Sequence, residues 1–157
     1  MKTQNYDLLI SYNQIQVRAV AFDENFCQWG EKNIEQGVII NNHYVVFDPL
    51  PAGEFGAHIS INFGGDFLRD KSTQRCMVVP FEIAEGAKLT VGSASESFDV
   101  IIDYNAGKYN LYYEVCEEEE VFYKLTFEKT DSYEPARYLM DDPWGGVKDK
   151  MLEIGKK

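Results

Sequence analysis

A chain of 157 residues has the size of one ordinary domain and is long enough to bury a continuous core. Its 26 acidic against 15 basic side chains give a formal net charge of −11 and a pI near 4.6, a field that repels free nucleic acid and anionic membrane surfaces. With 45% hydrophobic and 14% aromatic residues the chain is too apolar for a disordered acidic tail, and it is expected to fold.

The opening MKTQNYDLLISYNQ has neither a basic region followed by a long apolar run nor a small-residue cleavage site. No window approaches the ~18 apolar residues of a membrane span. The expectation is a cytoplasmic protein without membrane insertion. Tyr6/Leu8/Ile10/Tyr12 and Ile15/Val17/Ala19/Ala21 alternate with the period of strands, and the inward set changes from even to odd numbers, which requires a bulge or turn near Asn13–Gln14. FDENFCQWG then places Phe22, Phe26 and Trp29 among acids, with Trp29 expected in the core, and GEKNIEQG reads as a short helix. Tyr44 to Phe47 makes a short strand ended by the turn-rich DPLPAGEFG. Ala57/Ile59/Ile61/Phe63, Met77/Val79/Phe81/Ile83, Phe98/Val100/Ile102, Tyr109/Leu111/Tyr113/Val115 and Val121/Tyr123/Leu125/Phe127 continue the alternation, separated by NFGGDFLRDKSTQ, AEGA and NAG connections.

From Thr130 the alternation stops. SYEPARYLMDDPWGG reads as an extension across the surface or as disorder, and VKDKMLEIGKK as a short terminal helix. The pattern predicts an all-β protein, an antiparallel β-sandwich with one or two short helices. Residues 1–130 would form the sandwich and 131–157 an extension of the same domain.

Little in the chain points to catalysis. His43 lies in a turn and His58 on the polar side of its strand, neither inside a nucleophile motif. There is no GxSxG, P-loop, GxGxxG or HExxH, and NFGGD lacks the lysine and hydroxyl of a phosphate cradle. Cys27, Cys76 and Cys116 form no CxxC pair and read as free, mostly buried thiols. No enzymatic activity and no cofactor are expected. Asp23-Glu24-Asn25, Glu117 to Glu120 and Asp141-Asp142 supply oxygens of the kind Ca²⁺ takes, though none has the spacing of a dedicated loop. A calcium- or carbohydrate-binding β-sandwich module is the alternative reading.

The stretch YYEVCEEEEVFYKLTFE raises the sharpest question. Val115 and Val121 are in phase, so Cys116 to Glu120 reads as a hairpin tip carrying Glu117, Glu118, Glu119 and Glu120. Four like charges in a tight loop repel one another and add nothing to folding. They serve either as a solubility device and guard against edge pairing, or as part of a negative surface with Asp23, Glu24, Glu82, Glu85 and Asp141-Asp142. Such a surface complements the Lys- and Arg-lined groove of a nuclease. The tip would then steer association, while Asp23, Glu24 and Phe26 anchor the centre.

Four segments in order, LLISYNQIQV, QWGEKNIEQG, MVVPFEIAEG and SFDVIIDYNAGKYNLYYEV, together resemble the competence protein J (ComJ) family, acidic bacterial inhibitors of a DNA-entry nuclease. The resemblance covers roughly Tyr6 to Val115. It implies an immunity-like inhibitor that binds a basic nuclease stoichiometrically, with no chemistry of its own and no direct binding of nucleic acid. It carries over no contact residues.

Overall fold

The structure, a computed structural model, describes residues 1–50 and 56–157; part of the DPLPAGEFG turn lies outside them. Most of the alternating runs become strands, although of Phe98/Val100/Ile102 only Phe98 does so, and further strands join them: β1 (Lys2–Leu9), β2 (Ile15–Arg18), β3 (Val38–Asn41), β4 (Tyr44–Phe47), β5 (Gly56–Phe63) and β6 (Thr73–Ile83). They are followed by β7 (Thr90–Gly92), β8 (Ser97–Asp99), β9 (Gly107–Glu117), β10 (Val121–Lys129) and β11 (Arg137–Tyr138). One sheet has the order β1-β5-β10-β9-β6-β11, the other β3-β4-β2-β7-β8. The pairing is antiparallel except between β5 and β10, which run parallel with Phe122 opposite His58.

The inward residues of both sheets meet in one core, as alternation requires. Val17, Val45, Phe47 and Val91 face Leu111, Tyr113, Val115, Tyr123 and Leu125, all buried. Phe47 stacks on Tyr113 at 4.1 Å between centroids. The expected break after Tyr12 is a tight turn closed by a Ser11–Gln14 bridge, with Tyr12 and Asn13 at φ 54° and 49°. Positive φ at both central residues is the turn that matches strand twist, and here it carries the chain from β1 in one sheet to β2 in the other.

GEKNIEQG contains the one α-helix among the described residues, α1 (Glu31–Gln36), ended by Gly37 at φ 83°. A Cβ at Gly37 would also sit 2.5 Å from the Arg75 guanidinium. Two expectations need correction. VKDKMLEIGKK is not helical: Met151 bridges Arg137, Leu152 donates its N–H to the Ala136 carbonyl and Gly155 its own to Ile40. A helix of this length is marginal alone, and cross-chain partners satisfy its backbone better. Nor does the 131–157 stretch lie loosely on the surface. β11 pairs with β6, while Ala136, Tyr138 and Leu152 enter the core.

Candidate partner-binding surface

Beyond Arg18 the chain leaves β2 and crosses the outer face of the second sheet. Asp23, in an extended conformation, caps a single 3-10 turn (Glu24–Cys27): its Oδ1 accepts from the Asn25 N–H at 2.9 Å. This turn sets Phe26 onto Tyr44, 5.1 Å between centroids, and Cys27 Sγ 3.3 Å from the Tyr44 hydroxyl. Phe26, Cys27 and Trp29 are half-buried against Ile39, Tyr44 and Val46. Trp29 therefore sits in a satellite cluster, not in the central core where it was expected. Burial pushes up the pKa of both the Cys27 thiol and the Tyr44 phenol, so both stay protonated and neither is an activated nucleophile.

Between this turn and the β3–β4 connection lies a groove of about 520 Å³, walled by Val20, Phe22, Phe26, Asn42, His43 and Tyr44 with Asp23 on its rim. Phe22 is 56% exposed and Val20 40%. Glu82 joins the same end: its carboxylate accepts from Asn42 Nδ2 at 3.0 Å, and its carbonyl accepts from His43 Nδ1 at 2.7 Å. The carbonyl can only accept, which fixes the proton on Nδ1.

The glutamate tip is elsewhere. β9 extends through Glu117, which pairs with Val121, so the connection is Glu118 to Glu120 and not the expected Cys116 to Glu120; Cys116 is buried opposite Phe122. Glu118 donates its N–H to the Glu120 carbonyl, and the side chains of Glu117 to Glu120 are exposed. His58, exposed as expected, lines the adjacent hollow and contacts Asp7 and Asn5. Register places the two groups of acids at opposite ends. Glu82 and Ile83 lie beside Lys108 and Gly107 at the start of β9, and Glu117 is at its finish. That distance along β9 is about 33 Å.

Asp142 does not belong to the negative surface. Its side chain is fully buried and holds Arg75, itself 1% exposed, through Nε–Oδ2 at 2.7 Å and Nη2–Oδ1 at 3.1 Å. Sequence inspection also passes over Glu114, buried with Oε1 accepting from the Asp70 N–H and the Thr73 hydroxyl and with Oε2 unpartnered among the described residues. Its signal is an acid at an alternating position between Tyr113 and Val115 on a strand covered on both faces. Among the described residues no three His, Cys, Asp or Glu side chains converge on a metal-sized site. No described helix is long and apolar enough to cross a membrane.

Comparison with curated proteins gave no match. Among solved structures, the fold is similar to that of Bacillus subtilis ComJ, described as an inhibitor of the DNA-degrading activity of NucA. The TM-score is 0.67 and the identity 20%, over 83% of this chain and 96% of that one. Residues 7–128 match the family Competence protein J (ComJ). That match spans most of the sandwich, from β1 through nearly all of β10, and with the two-sheet architecture it shows that this chain belongs to the ComJ family.

Proposed function

We propose that this protein binds and inhibits a DNA-degrading nuclease, without chemistry of its own. Membership of the ComJ family carries the reading, since a protein of the same fold is described as such an inhibitor. The mechanism is occlusion: carboxylates take the place of phosphates in the basic groove of the enzyme, and the bulk of the sandwich keeps DNA out. The net charge of −11 supplies the attraction and also keeps the inhibitor itself off nucleic acid.

The two groups of acids take different parts. A standard interface buries about 800 Å² on each partner, and groups at opposite ends of the sandwich do not both sit inside one groove. Asp23, Glu24 and Phe26, beside the exposed Phe22, combine charge with apolar anchors and form the contact. Glu117 to Glu120, exposed at the far end of the sandwich, act by steering approach. Affinity capture from a lysate of the protein's own source, at low and then raised salt, tests this. The eluted partner should be a basic nuclease, silent in the complex and active once released. Absence of any protein partner at low salt overturns the reading.

A further inference from the structure

The groove between the 3-10 turn and the β3–β4 connection has features that the inhibitor reading alone does not use. Its walls are aromatic and aliphatic, and its volume of about 520 Å³ falls in the range of small-ligand sites. Phe22 stands in it 56% exposed, the one exposed phenylalanine among the described residues. The wall beneath is firm, because Phe26 rests on Tyr44 and the Tyr44 hydroxyl donates to Gln16 Oε1 at 3.0 Å.

Its rim is anionic. Asp23 uses Oδ1 to cap the turn, and among the described residues neither Asp23 nor Glu24 is engaged in an ion pair. Glu82 lies behind Asn42 and His43, its carboxylate accepting from Asn42 Nδ2 at 3.0 Å and standing 3.8 Å from His43 Nε2. Arg18 is held by the Val20 carbonyl at 3.1 Å and lines the neighbouring hollow with Lys88 and Asp99, so the chain's own guanidinium does not fill this one.

We infer that the groove is a receptor for an arginine side chain presented by the partner nuclease; this rests on the inhibitor reading and names the chemistry of its contact. The planar guanidinium stacks on the Phe22 and Phe26 rings while its edge meets the carboxylate of Asp23 on the rim. Lysine satisfies this geometry poorly: a strongly hydrated point charge can neither stack nor donate in a fork. Arginines at a phosphate-binding groove are what such a receptor would neutralise, so seating one both anchors the inhibitor and removes a DNA contact.

Two variants separate this from mere folding. Phe22→Ala removes a half-exposed ring, and Asp23→Asn keeps an N-cap of equal quality while deleting the charge. The double variant should retain its fold and inhibit a DNA-degrading nuclease that the parent inhibits at least about 30-fold more weakly, chiefly through faster dissociation. Equal inhibition by parent and double variant overturns the arginine receptor and leaves the inhibitor reading standing. A parent that inhibits no nuclease overturns that reading instead, and the groove is then decided by backbone amide shifts under titration with N-acetyl-arginine amide and N-acetyl-lysine amide. Saturable shifts around Phe22, Asp23, Phe26 and Asn42, stronger for arginine and lost in the double variant, support the receptor. Equal response to lysine, shifts centred on Glu118 to Glu120, or shifts at the groove that follow protein concentration without added ligand, as a second copy would give, overturn it.

Discussion

Arg75 and Asp142 make a buried bidentate pair between the rings of Tyr138 and Trp144, whose centroids lie 5.3 and 5.9 Å from the guanidinium carbon. Burial alone would raise the Asp142 pKa, but the Arg75 hydrogen bonds and the N–H groups of Gly146 and Trp144 outweigh it and hold the carboxyl below 3.8. Removing one partner leaves an uncompensated charge inside, so Asp142→Asn should cost about 3–5 kcal/mol near neutral pH, read as a lower denaturant midpoint. A depressed folded-state pKa contributes stability above the unfolded value and loses it as pH falls through the folded one; the deficit of Asp142→Asn should therefore close only below pH 3.8. Glu114 has the opposite sign. Desolvation by burial raises its pKa above 4.5, against the hydrogen bonds from Asp70 and Thr73. The folded state favours its protonated form, and stability drains away as pH rises through that raised value. Glu114→Gln should stabilise the protein at pH 7 by on the order of 1 kcal/mol, with the gain vanishing near pH 4; denaturant titrations at the two pH values check it, and equal gains at both would contradict the assignment.

At the scale of elements, the segment after Thr130 behaves as an integral part of the sandwich. β11 covers the edge of β6, the Tyr138 hydroxyl donates to the Gln36 carbonyl at 2.8 Å, and the N–H groups of Lys32 and Asn33 in α1 donate to the Lys157 carbonyl. We propose that residues 1–130 do not fold stably by themselves. Truncation after Thr130 should abolish cooperative thermal unfolding followed by circular dichroism, because it unpairs Arg75 and uncovers the core at once. A sharp transition in the truncated chain would make the tail an accessory. The long strands β1, β5, β6, β9 and β10 were legible in the sequence because each has one face on the core and repeats every second residue. β3 and β7 were not, since Val38 to Ile40 and Thr90 to Gly92 are buried throughout and too short to show a period. The tail hid for another reason: its decisive contact joins residues 67 positions apart, which no local pattern reports. Of the candidate surface, Asp23, Glu24 and Phe26 could be picked from charge beside aromatics, whereas the groove needed Asn42 to Tyr44 folded back beside them.

For the molecule as a whole, the candidate acids, Asp23, Glu24 and Glu82 at one end and Glu117 to Glu120 at the other, form two poles and not one face. Replacing Glu117 to Glu120 by glutamine takes the net charge from −11 to −7, four charges removed, all at the pole away from the groove. Association with a nuclease should slow at low ionic strength and lose much of its salt dependence, while dissociation stays as in the parent. Stopped-flow mixing at two salt concentrations distinguishes this from a contact role, in which dissociation would accelerate. The parallel pairing of β5 with β10 bears on how the protein is made. His58 waits for Phe122, 64 residues later in the chain, and at ~5–20 residues per second the ribosome needs roughly 3–13 s to supply it. Throughout that interval β5 has β1 on one side and a bare apolar edge on the other, open to a neighbouring nascent chain. Slower translation or loss of chaperone access over those seconds should therefore lower the yield in a cell even where the finished sandwich is stable, which soluble expression with and without chaperone depletion checks.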